Sequence, residues 1–279
     1  MALSINTNVG SLNAQRNLSV SQGQLNKSMQ RLSSGLRINS AADDTAGLAI
    51  SENLRGQIRS QNQASRNAND GVSLIQTAEG ALNETSAILV RMRELAQQAA
   101  TGTVGTTEKG YVQAEFKKLT AEIDRISATT EFNGIQLLDG NISTGGATKM
   151  DFQIGTRTTS SDQIGLTVGK MDSSSLGIGT IGVTDATQSL LSLTALDKAI
   201  ASVSSTRGDL GATQNRLQST INNLQVAIEN TSAAESRIRD VDVAAETATM
   251  TRNNILTQAG TAILAQANQA PQAALSLLR

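Results

Sequence analysis

Leu18, Leu25 and Leu32 stand seven residues apart near one end of the chain, and Leu210, Leu217 and Leu224 repeat the interval near the other. A leucine every seventh residue draws one apolar stripe along a helix, and such a stripe is stable only against another helix. Met29 and Leu36 fill the four-residue steps of the first seam, and Ile221 and Ile228 interleave with the second. Ile75, Ala78, Leu82, Leu89, Met92 and Ala96 trace a third seam on a helix expected over about 44–99. At ~1.5 Å per residue that helix is roughly 80 Å long. After the breaking run TGTVGT at 101–106, a shorter helix carries Val112, Phe116, Leu119, Ile123 and Ile126.

The material available for a core points the same way. Tyr111, Phe116, Phe132 and Phe152 are the only aromatic residues in 279. Aromatic side chains usually dominate cores and small-molecule pockets because each buries so much apolar area. Here the core must come from Leu, Ile, Val and Ala, which suits long helices packed side by side. There is no His and no Cys. That excludes His-dependent triads, His- or Cys-ligated metal, haem and iron–sulfur sites, and disulfides. No enzyme, cofactor or metal site is expected. A net charge of −1 with 17% charged residues offers no field for nucleic acid or an anionic membrane. The opening MALSINTNVGSLNAQ lacks a basic region and an apolar run, so it does not read as a secretory signal. No stretch approaches the ~20 apolar residues of a membrane span.

The helical period stops at Thr130. Asn133-Gly134 and Asp139-Gly140 are turn signals flanking Ile135 and Leu137. Met150, Phe152 and Ile154 alternate with polar residues, as do Ile164, Leu166 and Val168, which predicts short antiparallel strands. Residues 169–184, rich in Gly, Ser and Thr, read as an exposed loop. Gly177, Gly179 and Gly182 have the spacing of a dinucleotide fingerprint, but MDSSS precedes them where a buried strand is required. Asp43-Asp44 and Asp240/Asp242 fall at expected helix boundaries, where carboxylates cap N–H groups. Ser40 with Asp43, and Asp185 with Gln188, have capping-box spacing.

The expected fold is mainly α: a long antiparallel helical bundle with coiled-coil-like terminal helices and a small antiparallel β-hairpin region. Residues 1–43 with 237–279 form a terminal polymerisation domain. Residues 44–140 with 185–236 form the bundle, and 141–184 a short β/loop region. The outer helices carry Leu3, Ile5, Val9, Leu12, Leu18, Leu25 and Leu32 at one end. Ile255, Ile263, Leu264, Leu275 and Leu278 stand at the other. A single two-helix hairpin covers such faces only in part, so further copies of the chain are needed to bury them. Contacts joining different faces of identical copies need not close, and then they generate a helical fibre. An isolated coiled coil, with the terminal seams pairing only with each other, is the bland alternative.

Several long stretches, in order, resemble bacterial flagellin: SSGLRINSAADDTAGLAIS (33–51), SRNANDGVSLIQTAEGAL (65–82), RMRELAQQA (91–99) and TEFNGIQLLDG (130–140) in the first half. In the second half LGATQNRLQSTINNL (210–224), AESRIRDVD (234–242) and ILTQAGTAILAQANQAPQAALSLLR (255–279) are similar to the same family. The likeness covers nearly everything outside about 141–185.

The resemblance implies a structural subunit that polymerises into the flagellar filament and supports motility. It also implies secretion through the flagellum's own type III export apparatus with an export chaperone, and growth beneath a filament cap beside hook-associated proteins. Arg91, Leu95, Gln98 and Glu115 match positions by which similar flagellins bind host Toll-like receptor 5, an innate immune recognition. Positions 91, 95 and 98 share a helix face. A hook–filament junction protein shares such termini and is the nearest rival; a helical adhesin using 141–185 is a more distant one.

Overall fold

A computed structural model describes residues 7–140, 142 and 149–276, with side chains in the last helix to residue 269. Helices α1 (Val9–Ser34), α2 (Thr45–Ala100) and α3 (Thr106–Thr129) come first. The short strands β1 (Glu131–Phe132), β2 (Ile135–Gln136), β3 (Met150–Gln153) and β4 (Gln163–Leu166) follow. Helices α4 (Ala186–Arg239) and α5 (Val243–Ser276) end the chain. The mainly helical architecture with small antiparallel hairpins is thus the one expected. The chain divides into two compact units, Ile58–Glu229 and Met1–Gln57 with Asn230–Arg279.

The unit 58–229 holds the apolar core. Ile75, Ala78, Leu82, Leu89, Met92 and Ala96 of α2 are all fully buried. They meet Val112, Phe116 and Ile123 of α3, and Leu196, Ala199, Val203, Leu210, Leu217 and Ile221 of α4. Arg93 bonds Asp197 at 2.7 Å, and Glu79 lies 3.9 Å from Arg207, so α2 and α4 run antiparallel. At Gly71 an added Cβ would stand 3.2 Å from both Leu217 and the Phe152 ring, so this glycine allows α4 and β3 to approach α2. Asn67 fixes β3 there by donating to the Gln153 carbonyl at 3.0 Å.

Both predicted hairpins form. Phe132 pairs with Ile135 across a turn whose central residues, Asn133 (φ 51°) and Gly134 (φ 76°), are both left-handed. A primed turn requires that, and Asn-Gly supplies it at least cost. Phe152 pairs with Ile164 and Met150 with Leu166, so the alternating apolar residues share one face.

Residues 169–184 are not the exposed loop expected. Met171, Leu176, Ile178 and Val183 are buried in the core. Polar side chains of α3 hold the loop down. Asp124 accepts from the Ser173 amide at 2.8 Å and its hydroxyl at 2.9 Å, and Gln113 accepts from the Val183 amide at 2.6 Å. Burial raises the Asp172 pKa, but Lys170 and Ser175 bonded to the carboxylate outweigh it and bring it down to about 2. Buried apolar residues spaced by glycine and serine show no period, so the sequence pattern hides their role.

Two expected caps differ. The carboxylate at the start of α2 is Asp44, which accepts from the Gly47 amide at 2.9 Å. Ser40 and Asp43 instead close a preceding turn, with both the Ser40 amide and hydroxyl donating to Asp43. Gln188 accepts from the Thr184 hydroxyl rather than closing a box with Asp185.

Candidate self-association site

In the terminal unit α1 and α5 lie antiparallel. Asn8 Nδ2 donates to the Ala267 carbonyl at 2.7 Å, the Ser11 hydroxyl to Asn268 at 2.7 Å, and Arg31 pairs with Glu246 at 3.6 Å. A Cβ on Gly260 would lie 3.2 Å from Leu18 Cδ1, so Gly260 lets the backbones come close. The covered positions of α1 are Ser11, Ala14, Leu18, Ser21, Leu25, Ser28 and Leu32, at alternating steps of three and four. Those of α5 are Glu246, Met250, Asn253, Thr257, Gly260, Leu264 and Ala267, at the same steps. Both helices therefore present a coiled-coil seam.

The seam is thin. Leu18, Leu25, Leu32 and Leu264 are only half-buried in it, and the fully covered side chains are polar, Ser28 and Asn253. Among the described residues neither helix buries an apolar side chain completely. Met29, expected in the seam, points outward, and Ser28 takes the place. The seam's other half escaped the sequence reading because Ser, Thr, Gly and Asn occupy heptad positions that a search for apolar residues skips.

The outer faces are apolar instead. Val9, Leu12 and Val20 of α1 and Ile255, Leu256 and Ile263 of α5 are all about half exposed or more, Leu12 at 54% and Ile255 at 60%. Ala244, Ala248, Thr251 and Ile255, again at steps of four and three, line a shallow apolar groove on α5 with Val243 and Leu256. The candidate residues thus split: Leu18, Leu25, Leu32 and Leu264 face within the chain, and Val9, Leu12, Ile255 and Ile263 face out. Leu3, Ile5 and Leu278 lie outside the described residues, as does the side chain of Leu275.

Where α1 and α4 end, the chain clasps itself. Gly35 caps α1 in the left-handed region (φ 71°), and the following backbone pairs antiparallel with 239–241. The Arg37 amide donates to the Arg239 carbonyl at 2.6 Å and the Val241 amide to the Gly35 carbonyl at 3.0 Å. Asp43 bonds Lys27 at 2.7 Å, and that contact, with the Ser40 and Asn39 amides, holds its carboxyl well below the usual range. Asp242 caps α5, accepting from the amides of Ala244 and Ala245 at 2.9 and 3.1 Å. Asp43, Asp44 and Asp242 thus each accept from backbone amides at these breaks.

On the helical core, Arg91 Nε and Nη2 both donate to Glu115 (3.1 and 3.0 Å) and Nη1 to Glu94 (3.0 Å). Gln98 is exposed one turn beyond Glu94. Leu95 is different: it is 2% exposed and belongs to the core, so it has no surface to offer a partner directly. Helical spacing put it beside Arg91, but the face it shares with Met92 and Ala96 turns inward. Among the described residues no helix is long and apolar enough to cross a membrane, and no cluster of three metal-ligating side chains occurs.

Two family models match most of the chain: the bacterial flagellin N-terminal helical region over residues 5–143 and the C-terminal helical region over 193–278. A flagellin of Halalkalibacterium halodurans is 50% identical over 277 residues, 99% of each chain. A flagellin of Bacillus subtilis is 49% identical over 306 residues, again covering 99% of each. The structure of a putative flagellar hook-associated protein from Vibrio parahaemolyticus aligns with a TM-score of 0.59 at 15% identity, covering 71% of this chain and 100% of that one. That likeness speaks for the fold alone.

Proposed function

This chain belongs to the bacterial flagellin family, and from that premise we propose that α1 and α5 are the segments through which its copies join. It is a structural subunit of the flagellar filament. One observation carries the assignment of the ends: among the described residues α1 and α5 bury no apolar side chain fully against each other, yet they expose Leu12, Ile255 and Ile263. A neighbouring copy is the surface that removes both deficits, and contacts between unlike faces extend the assembly without closing it. Residues 1–43 with 237–279 then act in polymerisation, 44–140 with 185–236 form the helical-bundle tube domain, and 141–184 are its short variable region. The junction and adhesin readings are not favoured, because flagellins match 99% of the chain.

Ile255→Asp and Ile263→Asp test the outward faces. Each places a carboxylate where an apolar contact is required, without touching the α1 seam. An unpaired buried carboxylate costs several kcal/mol, so seeded elongation should slow by at least about tenfold while the monomer stays helical. Elongation at the normal rate in both variants would overturn the assignment.

The finer partners extend the same reading: an export chaperone and type III apparatus for secretion, and a filament cap and hook-associated proteins at the growing end. Host Toll-like receptor 5 would bind at Arg91, Gln98 and Glu115, with Leu95 supporting that face from beneath. Arg91 is held by two carboxylates in a fixed direction, the arrangement of an interface anchor. Arg91→Ala should weaken receptor activation in a reporter assay by about tenfold or more. Full potency in a folded variant would remove this site.

A further inference from the structure

Asn133-Gly134 is the one Asn–Gly pair in the sequence, and we propose that it is a site of spontaneous covalent modification, at which the chain converts its own asparagine to aspartate and isoaspartate. Both residues are exposed at the tip of the β1–β2 hairpin, and a Cβ at Gly134 would meet nothing within 4 Å. Once hydroxide removes the Gly134 amide proton, that nitrogen attacks Asn133 Cγ. The new N–Cγ bond forms, the Cγ–Nδ2 bond breaks, and Nδ2 leaves as ammonia, giving a five-membered succinimide. Water then adds to either ring carbonyl. Cleavage on one side yields aspartate, and on the other isoaspartate. The balance is amide plus water to acid plus ammonia, with no other reactant.

Helical asparagines lack this route. Asn62 and Asn222 precede residues with side chains, Gln63 and Asn223, inside α2 and α4, where the following amide is tied into the helix and crowded. The hairpin gates the reaction without preventing it. Ring closure needs rotation about the Asn133 backbone, which the left-handed turn restrains. Yet only two residue pairs hold the hairpin, with the Leu137 amide on the Thr130 carbonyl (3.0 Å) and Gln136 on Ala128 (2.9 Å) behind them. Short ladders of this kind open readily. Isoaspartate inserts a methylene into the main chain and disturbs the two-residue turn, whereas aspartate leaves an Asp-Gly pair that fits it. Because ammonia has left, the change is one-way.

The test ages the full-length purified chain at mildly alkaline pH. Peptide mass spectrometry follows the amide-to-acid mass gain, and an isoaspartyl methyltransferase with labelled methyl donor reports isoaspartate. A synthetic peptide of residues 130–138 is aged alongside. The expected result is conversion at Asn133 ahead of Asn62 and Asn222, slower than in the peptide, with methyl acceptance lost in Asn133→Gln, whose longer side chain cannot close the same ring. Conversion at Asn133 no faster than at Asn62, or methyl acceptance unchanged in Asn133→Gln, would overturn the proposal.

Discussion

Deleting residues 1–35 or 243–279 is expected to leave a soluble, helical chain that forms no filament, seeded or unseeded. Among the described residues, every fully buried apolar side chain of the long helices lies in α2, α3 or α4, from Ala64 to Ile221, so neither deletion removes a member of that core. Each deletion does remove one whole side of the α1–α5 seam. The remaining helix then loses Leu18 against Gly260, or the reverse, and an isolated helix of its length is marginal in water. Its outward face, Leu12 or Ile255, loses the scaffold that presents it to a neighbour. Circular dichroism should retain most of the helical signal, while electron microscopy and sedimentation show monomers. Filaments from either truncated chain at ordinary concentration would show that the helical core polymerises alone, and the division of labour proposed here would fall.

What the sequence disclosed followed the strength of its periodicity. The α2 seam was legible residue by residue, because six apolar positions at steps of three, four and seven admit one helical face. The hairpins were legible because Asn133-Gly134 dictates a turn type and because alternation around Phe152 and Ile164 has one reading. Burial of residues 171–183 was not legible. Its anchors are side-chain bonds from Asp124 and Gln113, far along the chain, and no local pattern announces them. Likewise Leu95 shares a spacing with Arg91 and Gln98 but faces the core, since a helix-face argument tolerates an error of one position and a binding site does not. The candidate self-association residues were legible as an apolar set but not by the face each takes. Telling Leu18 from Leu12 requires the partner helix, and half of that helix's seam is written in Gly260, Thr257 and Asn253.

Hydrogen exchange should locate the switch between monomer and polymer. In dilute monomer, amides of residues 9–34 and 243–269 are expected to exchange without lasting protection, and to become strongly protected in the filament. The burial pattern requires it. Protection in a helix tracks the cost of opening it, and that cost comes from tertiary packing more than from propensity. Here the packing is a seam of half-buried leucines whose fully covered members are Ser28 and Asn253. Gly23, Gly260 and Pro271 weaken the helices further, since Gly and Pro cost a helix interior ~1 and ~3 kcal/mol relative to Ala. Against that stands an ordering entropy of ~1–2 kcal/mol per residue, which a thin seam does not offset over some sixty residues. Neighbouring copies would change the sum by covering Val9, Leu12, Ile255 and Ile263 at once. The clasp of 35–37 with 239–241 confines the transition, because its bonds hold both helix breaks together and belong to residues outside α1 and α5. Strong protection of both helices in dilute monomer would mean that they fold without partners, and exposure of an unsatisfied surface could no longer be what drives assembly.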